Sequence, residues 1–235
     1  AHDAFWDPAS GRLVHEGIGF AGHALWRTAT DETPAVRESF PESVTYLDLR
    51  WDAEKKAWTG TAWFEARGAA NPYDDIVEGQ GAMKEAVVKA LNEVMEGLEP
   101  VSIDPVSVGP SGFAARAEVS SSEASRDAQG RLALVFGPSS GGITGSLPHD
   151  VVLQDEQRSM PLRGVSGRHE VRVRLDLGGL EVVRLPEPVV TQNVAGLYRT
   201  DMTRGEGSLV YQQTLHVRPV TFPVDQWPSL RALLL

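Results

Sequence analysis

The sequence contains no cysteine. This absence excludes disulfide bonds, thiolate metal ligands and cysteine nucleophiles from the chain. The sequence also lacks any run of about 18 apolar residues, so no segment is predicted to span a membrane. The first residues, AHDAFWDPASG, contain neither a basic segment nor an apolar core, and no signal peptide is predicted in them.

Positive charge is also scarce. Asp and Glu number 32 against 22 Lys and Arg, which gives a formal net charge of -10. This balance argues against a nucleic-acid partner, because affinity for nucleic acid depends on neutralising phosphates. All four lysines lie between Lys55 and Lys89, whereas the basic residues from Arg158 onward are arginine or histidine. The uneven distribution predicts two surfaces of different character.

The 235 residues, 41% of them hydrophobic, are sufficient for a substantial core. The predicted fold class is mainly β (α+β), with a ββα unit followed by an antiparallel β-sandwich and a short C-terminal helix. Three regions are predicted: an irregular lead-in or linker at 1–42, a β-hairpin plus helix at 43–100, and a β-sandwich domain with the C-terminal helix at 101–235.

The segment SVTYLDLRWDAEKKAWTGTAWFEARG predicts a β-hairpin with one apolar face. Apolar and polar residues alternate on both sides of the polar turn DAEKK, which is the period of a strand with one buried face. The alternation places Trp51 and Trp58 on the core face and Trp63 on the opposite face. Since exposed aromatic rings bind sugar rings, Trp63 is the candidate ligand-binding residue, and core packing is the competing interpretation.

One long helix and several strands are predicted after the hairpin. Apolar residues spaced three and four apart predict a helix from Ala82 to Leu98, ended by Pro100. Gly178-Gly179 predicts a two-residue turn that joins two neighbouring strands into a hairpin. Short strands with turn signals at this spacing are typical of a β-sandwich. The segments predicted as strands are 101–108, 113–120, 131–136, 168–177, 180–185, 194–203 and 208–217.

No catalytic residue, metal ion or cofactor is predicted. GPSSG matches a nucleophile elbow with Ser139 at its centre, but the residues after it do not predict the helix that the motif requires. His169 and His216 are interpreted as solvent-facing strand residues, and Asp74 and Asp75 as acids in the first turn of a helix. The N-terminal histidines and acids match no zinc spacing; they are His2, Asp3, Asp7, His15, Glu16 and His23.

The last residues, VTFPVDQWPSLRALLL, predict a short helix. Asp225 is the expected N-cap, and Pro228 lies in the first turn, where its missing N–H costs nothing. The spacing of Trp227, Leu230 and Leu234 places them on one face, which we expect to dock onto the sandwich. The chain stops on three leucines with no glycine, lysine or polar C-cap, so we expect a piece of a longer protein.

The stretch LPEPVVTQNVAGLYRTDMTRGEGSLVYQQTLHVRPVTFPVDQWPSLRALLL resembles the C-terminal end of a family of bacterial transglutaminase-like proteins. The shared order is Leu-Pro at 185–186, a strand, a Gly-aromatic step at Gly196 and Tyr198, a hairpin, a strand, a proline and a Trp-Pro-x-Leu-Arg helix at 227–231. The segments RSMPLRG, WTGTAWFEARGAA and SGRLVHEGIGFAGHALW match other parts of the family more loosely. The family carries domains of unknown function beside a papain-like core.

The resemblance implies a role without catalysis for this chain. Such cores use a Cys-His-Asp triad, in which the cysteine attacks as a thiolate, and this chain has no cysteine. Asp7 in WDP superficially fits the position of the family's catalytic aspartate, and whether it belongs to an upstream catalytic site stays open. Members are commonly exported or cell-envelope proteins, so the resemblance implies a periplasmic or extracellular location.

The function expected from the sequence is that of a non-catalytic accessory or binding region. It would scaffold an upstream domain of the same chain or bind a protein or glycan partner. The alternative is a carbohydrate- or peptidoglycan-binding sandwich that uses Trp63. An enzyme that uses Ser139 or an acid pair is the third possibility; a convergent acid–base pair in a pocket would favour it.

Overall fold

The structure is a computed structural model, and it describes residues 4–7, 12–15, 26–27, 42–76, 80–109, 112–121, 131–132, 134, 136, 159–161, 167–218 and 222–234. The strands are β1 (Ala4–Asp7), β2 (Arg12–His15), β3 (Trp26–Arg27), β4 (Glu42–Asp52), β5 (Ala57–Arg67), β6 (Leu98–Gly109), β7 (Gly112–Ser121), β8 (Gly167–Asp176), β9 (Val189–Asn193), β10 (Gly196–Gly205) and β11 (Ser208–Val217). The α-helices are α1 (Tyr73–Ile76), α2 (Gln80–Val94) and α3 (Trp227–Leu234).

The described strands form a three-stranded sheet in the order β2-β1-β3 and an eight-stranded sheet in the order β6-β7-β5-β4-β8-β11-β10-β9. Within the described part of the larger sheet, neighbours run antiparallel except β4 and β8, which run parallel. We call the pairing of 42–50 with 168–176 the parallel seam. It joins two antiparallel halves of four strands each.

One face of the large sheet, the core face, carries the main hydrophobic cluster. Its alternating residues come from β4, β5, β7, β8 and β11, and α2 adds its apolar stripe to the same cluster. Burying each such side chain stabilises the fold by roughly 1.5–3 kcal/mol. Fully buried members include Leu49, Val87, Leu91, Leu98, Val173 and Leu175. The opposite face, the open face, carries the intervening polar and aromatic residues.

The hairpin β4–β5 has the register that the alternation predicts. Trp51 pairs directly with Trp58, and Tyr46 pairs with Trp63 on the open face. Gly60 lies opposite Leu49, where a Cβ would come within 2.0 Å of the backbone oxygen of Asp48. Only glycine permits this close approach of the two strands. The predicted hairpin with one apolar face is confirmed.

The long helix ends earlier than predicted. The expected helix Ala82–Leu98 is observed as α2 (Gln80–Val94), and the chain has already entered β6 at Leu98. Gly97 has a φ of 83°, which residues with a Cβ rarely adopt, and its N–H donates to Asn92 Oδ1 at 3.0 Å. The glycine therefore ends the helical path before Pro100 is reached.

The hairpin predicted at Gly178-Gly179 is wrong. Both glycines have positive φ and form a turn, and the Leu180 N–H donates to the Leu177 carbonyl oxygen at 2.9 Å. The segment 180–185, however, is not a strand. Both edges of β8 are already paired, one with β4 and the other with β11, so no edge remains for the returning chain. Three of its apolar residues pack against the main cluster instead; they are Leu180, Val182 and Leu185.

Two further differences concern short strands. β9 (Val189–Asn193) is absent from the strands predicted by residue alternation, although the resemblance implies a strand between Pro186 and Gly196, and it pairs with β10 at the edge of the sheet. The predicted strand 131–136 lies partly outside the described residues. Of its described members, Phe136 forms an isolated bridge with Met95 and stacks on Tyr211 with ring centroids 4.3 Å apart.

The lead-in 1–42, expected to be irregular, contains the three short strands β1, β2 and β3. The other expected boundary, between 100 and 101, falls inside β6 (Leu98–Gly109). Buried side chains from both sides of that boundary share the main hydrophobic cluster, for example Leu47 and Val173. The continuous sheet and the shared core therefore cross the predicted boundary.

The predicted docking of the C-terminal helix is confirmed. α3 buries Trp227, Leu230, Leu233 and Leu234 in a second hydrophobic cluster with residues of the sheet. The Asn193 side-chain amide donates to the Ser229 carbonyl oxygen at 2.8 Å, which ties α3 to the end of β9. The expected N-cap at Asp225 is wrong, since a 3-10 turn at Val224–Gln226 precedes α3 and Asp225 lies in the first turn of it.

The predicted fold class, mainly β with a ββα unit and a short C-terminal helix, is confirmed. The strands expected in the sandwich join the sheet of the hairpin on both of its sides, β7 beside β5 and β8 beside β4 across the parallel seam. Packing that a sandwich places between two sheets is here provided on the core face by α2 and by coil segments such as 180–185. In the part of the chain that the structure describes, both helices α2 and α3 pack on the core face, and Tyr46 in the middle of the open face is exposed.

Candidate functional site

Four side chains form a row across the open face at the centre of the large sheet. Arg116 on β7 pairs with Trp63 on β5, Trp63 pairs with Tyr46 on β4, and Tyr46 pairs with Arg172 on β8. Directly paired residues of adjacent strands project to the same side, with side chains in reach of each other. We call these four residues the aromatic–arginine row. Two aromatic rings thus lie between two guanidinium groups.

A groove with a volume of about 470 Å³ opens along this row. Tyr46 is 43% exposed, Trp63 is half-buried, and both arginines of the row are exposed. Aromatic side chains of this size are usually buried, so two neighbouring rings that remain accessible mark the groove as a candidate binding surface. The side chains and backbone that line it belong to Tyr46, Leu47, Asp48, Thr61, Ala62, Trp63, Arg116, Arg172 and Arg174.

The arginines along the groove differ in whether they form an ion pair with a described residue. Arg174 donates to Asp48 Oδ2 at 3.3 Å across the parallel seam, and both side chains are more than half exposed. Within the part of the chain that the structure describes, Arg116 and Arg172 form no ion pair. Their guanidinium groups therefore present positive charge to solvent on a protein whose formal net charge is -10.

The arrangement is suited to a ligand with a flat apolar surface and hydrogen-bonding groups at its edges. An aromatic face binds the C–H face of a ring, and a guanidinium group donates two parallel hydrogen bonds to a carboxylate or phosphate. The row stands on four hydrogen-bonded strands, so the relative positions of its members are set by backbone pairing. A site built on strands is more rigid than one built on loops.

Trp63 is the one member of the row that the sequence singles out. Its predicted position on the face opposite Trp51 and Trp58 is confirmed, while its role in ligand binding stays a prediction. Tyr46 and the two arginines are absent from the prediction. The open-face alternation of β4 and β8 indicates that their side chains are solvent-facing, but their juxtaposition depends on pairing between strands far apart in sequence.

A second polar group lies buried on the core face, near the parallel seam. Ser43 Oγ and His169 Nδ1 form a hydrogen bond, and the Tyr211 hydroxyl donates to Gln213 Oε1 at 3.0 Å. His169 is 4% exposed and Gln213 is 2% exposed. The prediction that His169 faces solvent is wrong, because it shares the parity of Val171 and Val173 on β8. His216 lies between buried neighbours on β11 and is half-buried, as expected for the open face.

Burial dominates the electrostatics of this group. It lowers the pKa of His169 to about 4, against an opposing contribution from Glu170. It also raises the pKa of Tyr211 well above its usual range, and Tyr198 adds to that rise. His169 is therefore neutral at neutral pH, and its bond to Ser43 satisfies polar atoms inside the core. Because its side chain is almost fully buried, we interpret His169 as a residue of the packed core rather than as a catalytic residue.

Other residues named from the sequence lie outside the described residues or are described only in their backbone. Ser139, His149, His2 and His23 lie outside. Asp7 and His15 are in β1 and β2, and Asp74 and Asp75 are in α1, by backbone alone. Among the described residues, no group of three or more potential ligands is placed to hold a metal ion. None of the helices in that part of the chain has the length and apolar character needed to cross a membrane.

Comparison of the chain with protein-family models, with curated proteins and with solved structures found no match. The transglutaminase-like parentage therefore stays a prediction.

Proposed function

We propose that this chain is a non-catalytic binding region that holds a saccharide in the groove of the open face. We also propose that the chain is the accessory region of a larger, exported transglutaminase-like protein. In that protein it would present a ligand or partner to the upstream domain. The observation that carries the proposal is the pairing of Tyr46 with Trp63 in an accessible groove.

The aromatic pair supplies the contact that a sugar ring requires. A pyranose ring has a face of C–H groups, and stacking that face on an aromatic ring removes apolar surface of both from water. Hydroxyl groups at the rim of the ring then need donors and acceptors, which Asp48, Thr61 and Arg174 provide beside the rings. Because Tyr and Trp each have only two side-chain torsions, little side-chain entropy is lost on binding.

The non-catalytic part of the proposal is supported by the absence of cysteine from all 235 residues. A transglutaminase-like core requires a cysteine thiolate, so this chain does not perform that reaction by itself. We expect assays of amide hydrolysis, transamidation and ester hydrolysis to give no rate above buffer. Turnover that disappears in the Ser139→Ala variant would contradict the proposal and establish an enzyme.

Calorimetric titration with a panel of soluble polysaccharides tests the saccharide ligand. We expect binding to at least one polymer and a loss of about fivefold or more in affinity in Trp63→Ala, because stacking on an aromatic ring contributes on the order of 1 kcal/mol or more. Trp63→Phe keeps a ring and should retain most of the affinity. Trp63 lies outside the buried core, so circular dichroism should show that both variants remain folded.

The matched control is Val190→Ala, which removes an exposed apolar side chain from the open face of the outermost strand β9. It lies three strands away from β8 and should leave binding unchanged. Equal affinity of Trp63→Ala and the parent protein would remove the groove as the binding site. If no polymer in the panel binds, the saccharide-binding role is wrong.

A further inference from the structure

We infer that the saccharide bound by the groove is acidic, with carboxylate groups carried on its sugar rings. The inference rests on the proposed function, and it names the class of ligand. It is drawn from the two outer members of the aromatic–arginine row, Arg116 and Arg172, which flank the rings on both sides.

The spacing of the row favours a polymer over a single sugar. Arg116 and Arg172 stand on strands β7 and β8, which are separated by β5 and β4. At the usual separation of paired strands, the distance between their backbones is about 14 Å. A ring stacked on Trp63 and Tyr46 places its substituents between the two guanidinium groups, and neighbouring rings of an extended chain lie over the arginines themselves.

The charge of the row favours carboxylates over neutral hydroxyl groups. An exposed arginine with no carboxylate partner gains charge-assisted, bidentate hydrogen bonds when an acidic ligand arrives. Asp104 on β6 lies opposite Arg116 in the register, yet the two form no ion pair in the described structure. Arg172 has Tyr46 on one side and Gln212 on the other, neither of which is a carboxylate.

Carboxylates lie on both sides of the aromatic–arginine row, and most of them are paired. Asp48 pairs with Arg174 at 3.3 Å on one side, and Glu65 pairs with Arg67 and Glu170 with Arg168 on the other. Glu118, beyond Thr61, repels an acidic polymer, which is attracted along the row itself. Since the protein as a whole is acidic, binding of such a polymer elsewhere on the surface is disfavoured.

Three polymers separate the contributions of charge and ring. Polygalacturonate supplies acidic rings, its fully methyl-esterified form supplies the same rings without charge, and polyacrylate supplies carboxylates without rings. We expect the parent protein to bind polygalacturonate at least tenfold more tightly than the esterified form, and polyacrylate weakly. The affinity for polygalacturonate should fall as salt is raised, because exposed charges are screened.

Charge-removing variants then locate the contact. Arg116→Gln and Arg172→Gln should each weaken polygalacturonate binding about tenfold, the scale of one lost hydrogen bond to a charged group, and leave binding of the esterified form unchanged. Arg199→Gln is the matched control: it makes the same change in charge at an exposed position of β10 outside the groove. It should bind all three polymers as the parent protein does.

The outcomes distinguish the two proposals. If the acidic and esterified forms bind equally, the acidic class is wrong while saccharide binding stands. If neither form binds, the proposed function itself is wrong. Tight binding of polyacrylate, or an equal effect of Arg199→Gln and Arg172→Gln, would show non-specific attraction and overturn the inference.

Discussion

Trp51 and Trp58 face each other across the β4–β5 hairpin with ring centroids 5.4 Å apart and planes inclined at 63°. This edge-to-face contact lies in the core, where the two side chains are 5% and 1% exposed. Trp63, on the same hairpin, projects to the open face and is half-buried. The three tryptophans are therefore expected to differ in access to a solute quencher.

Single-tryptophan variants test this difference. Each keeps one of the six tryptophans and replaces the others with phenylalanine. We expect acrylamide to quench the fluorescence of Trp63 several times more strongly than that of Trp51 or Trp58, because burial limits collision with the quencher. Equal quenching of all three would mean that the register of the hairpin is wrong, since a slip by one residue exchanges the two faces.

The docked helix α3 should be integral to stability. Trp227 is 1% exposed and lies in the second hydrophobic cluster, so Trp227→Ala should lower the free energy of unfolding by about 3 kcal/mol, as for other buried large-to-small changes. Chemical denaturation measures the change. Ala232→Ser, at an exposed position of the same helix, should alter it by less than about 0.5 kcal/mol.

Removal of residues 224–235 should lower the melting temperature by several degrees or cause aggregation, because it exposes the apolar surface that α3 covers. A truncated chain that melts with the whole chain would contradict this expectation. In that case α3 would contribute no net stability to the sheet.

His169 should make stability sensitive to pH. Burial lowers its pKa from 6.5 to about 4, so between these values the unfolded chain binds a proton that the folded protein does not. The stabilisation is present above pH 6.5 and is lost as the pH falls toward 4. The linked loss is about 3 kcal/mol.

Urea denaturation at pH 7.5 and pH 4.5 measures this effect in the parent protein and in His169→Gln. We expect the difference between the two pH values to shrink in the variant. His216→Gln removes a half-buried histidine from β11 and serves as the matched comparison. An unchanged pH dependence in His169→Gln would show that the histidine is not linked to unfolding.

Lys56, in the turn of the β4–β5 hairpin, has a strained backbone conformation that a substitution can relieve. Asp52 Oδ1 accepts hydrogen bonds from the N–H groups of Glu54 and Lys55, each at 3.0 Å, and Lys56 has a φ of 51°. Glycine adopts this left-handed conformation without the Cβ clash. Lys56→Gly should therefore raise the free energy of unfolding by about 0.5–1 kcal/mol.

Lys55→Gly is the adjacent control, because Lys55 does not have a positive φ. There the substitution gives no relief of strain and adds freedom to the unfolded chain, so it should lower stability by about 0.4–1 kcal/mol. Thermal melting of both variants gives the comparison. A Lys56→Gly variant that melts below the parent protein would show that the turn carries no such strain.

Local patterns were enough to predict the hairpin, the docked helix and the position of Trp63. Each depends on the period of apolar residues within one segment, which the sequence shows directly. The partners of β8 depend instead on pairing with strands distant in sequence, and Gly178-Gly179 gives a local signal that the sheet overrides. The strands β6 and β7 were likewise expected in the sandwich unit with β8 to β11, although they lie on the other side of the hairpin in the same sheet.

In the candidate site, too, local patterns predict what lies within one segment but not what distant strands bring together. Trp63 and Tyr46 come from one hairpin, and their pairing follows from its turn. Arg172 reaches the row only through the parallel seam, which joins residues more than a hundred positions apart. The buried position of His169 could be predicted from the sequence, since strict alternation places it on the core face with Val171. Its polar character led to the opposite interpretation.

The parallel seam also sets the order in which the molecule assembles. Asp48 and Arg174, which face each other across it, are separated by 126 residues, whereas the hairpins on either side close through short turns. Closing a long loop costs conformational entropy before the contacts between its ends form and offset that cost. We therefore expect both halves to form first and the seam to close last. Trp63 stands on one half and Arg172 on the other, so the groove exists only after that final step. A ligand that spans it would bind the completed sheet alone and slow the separation of its halves.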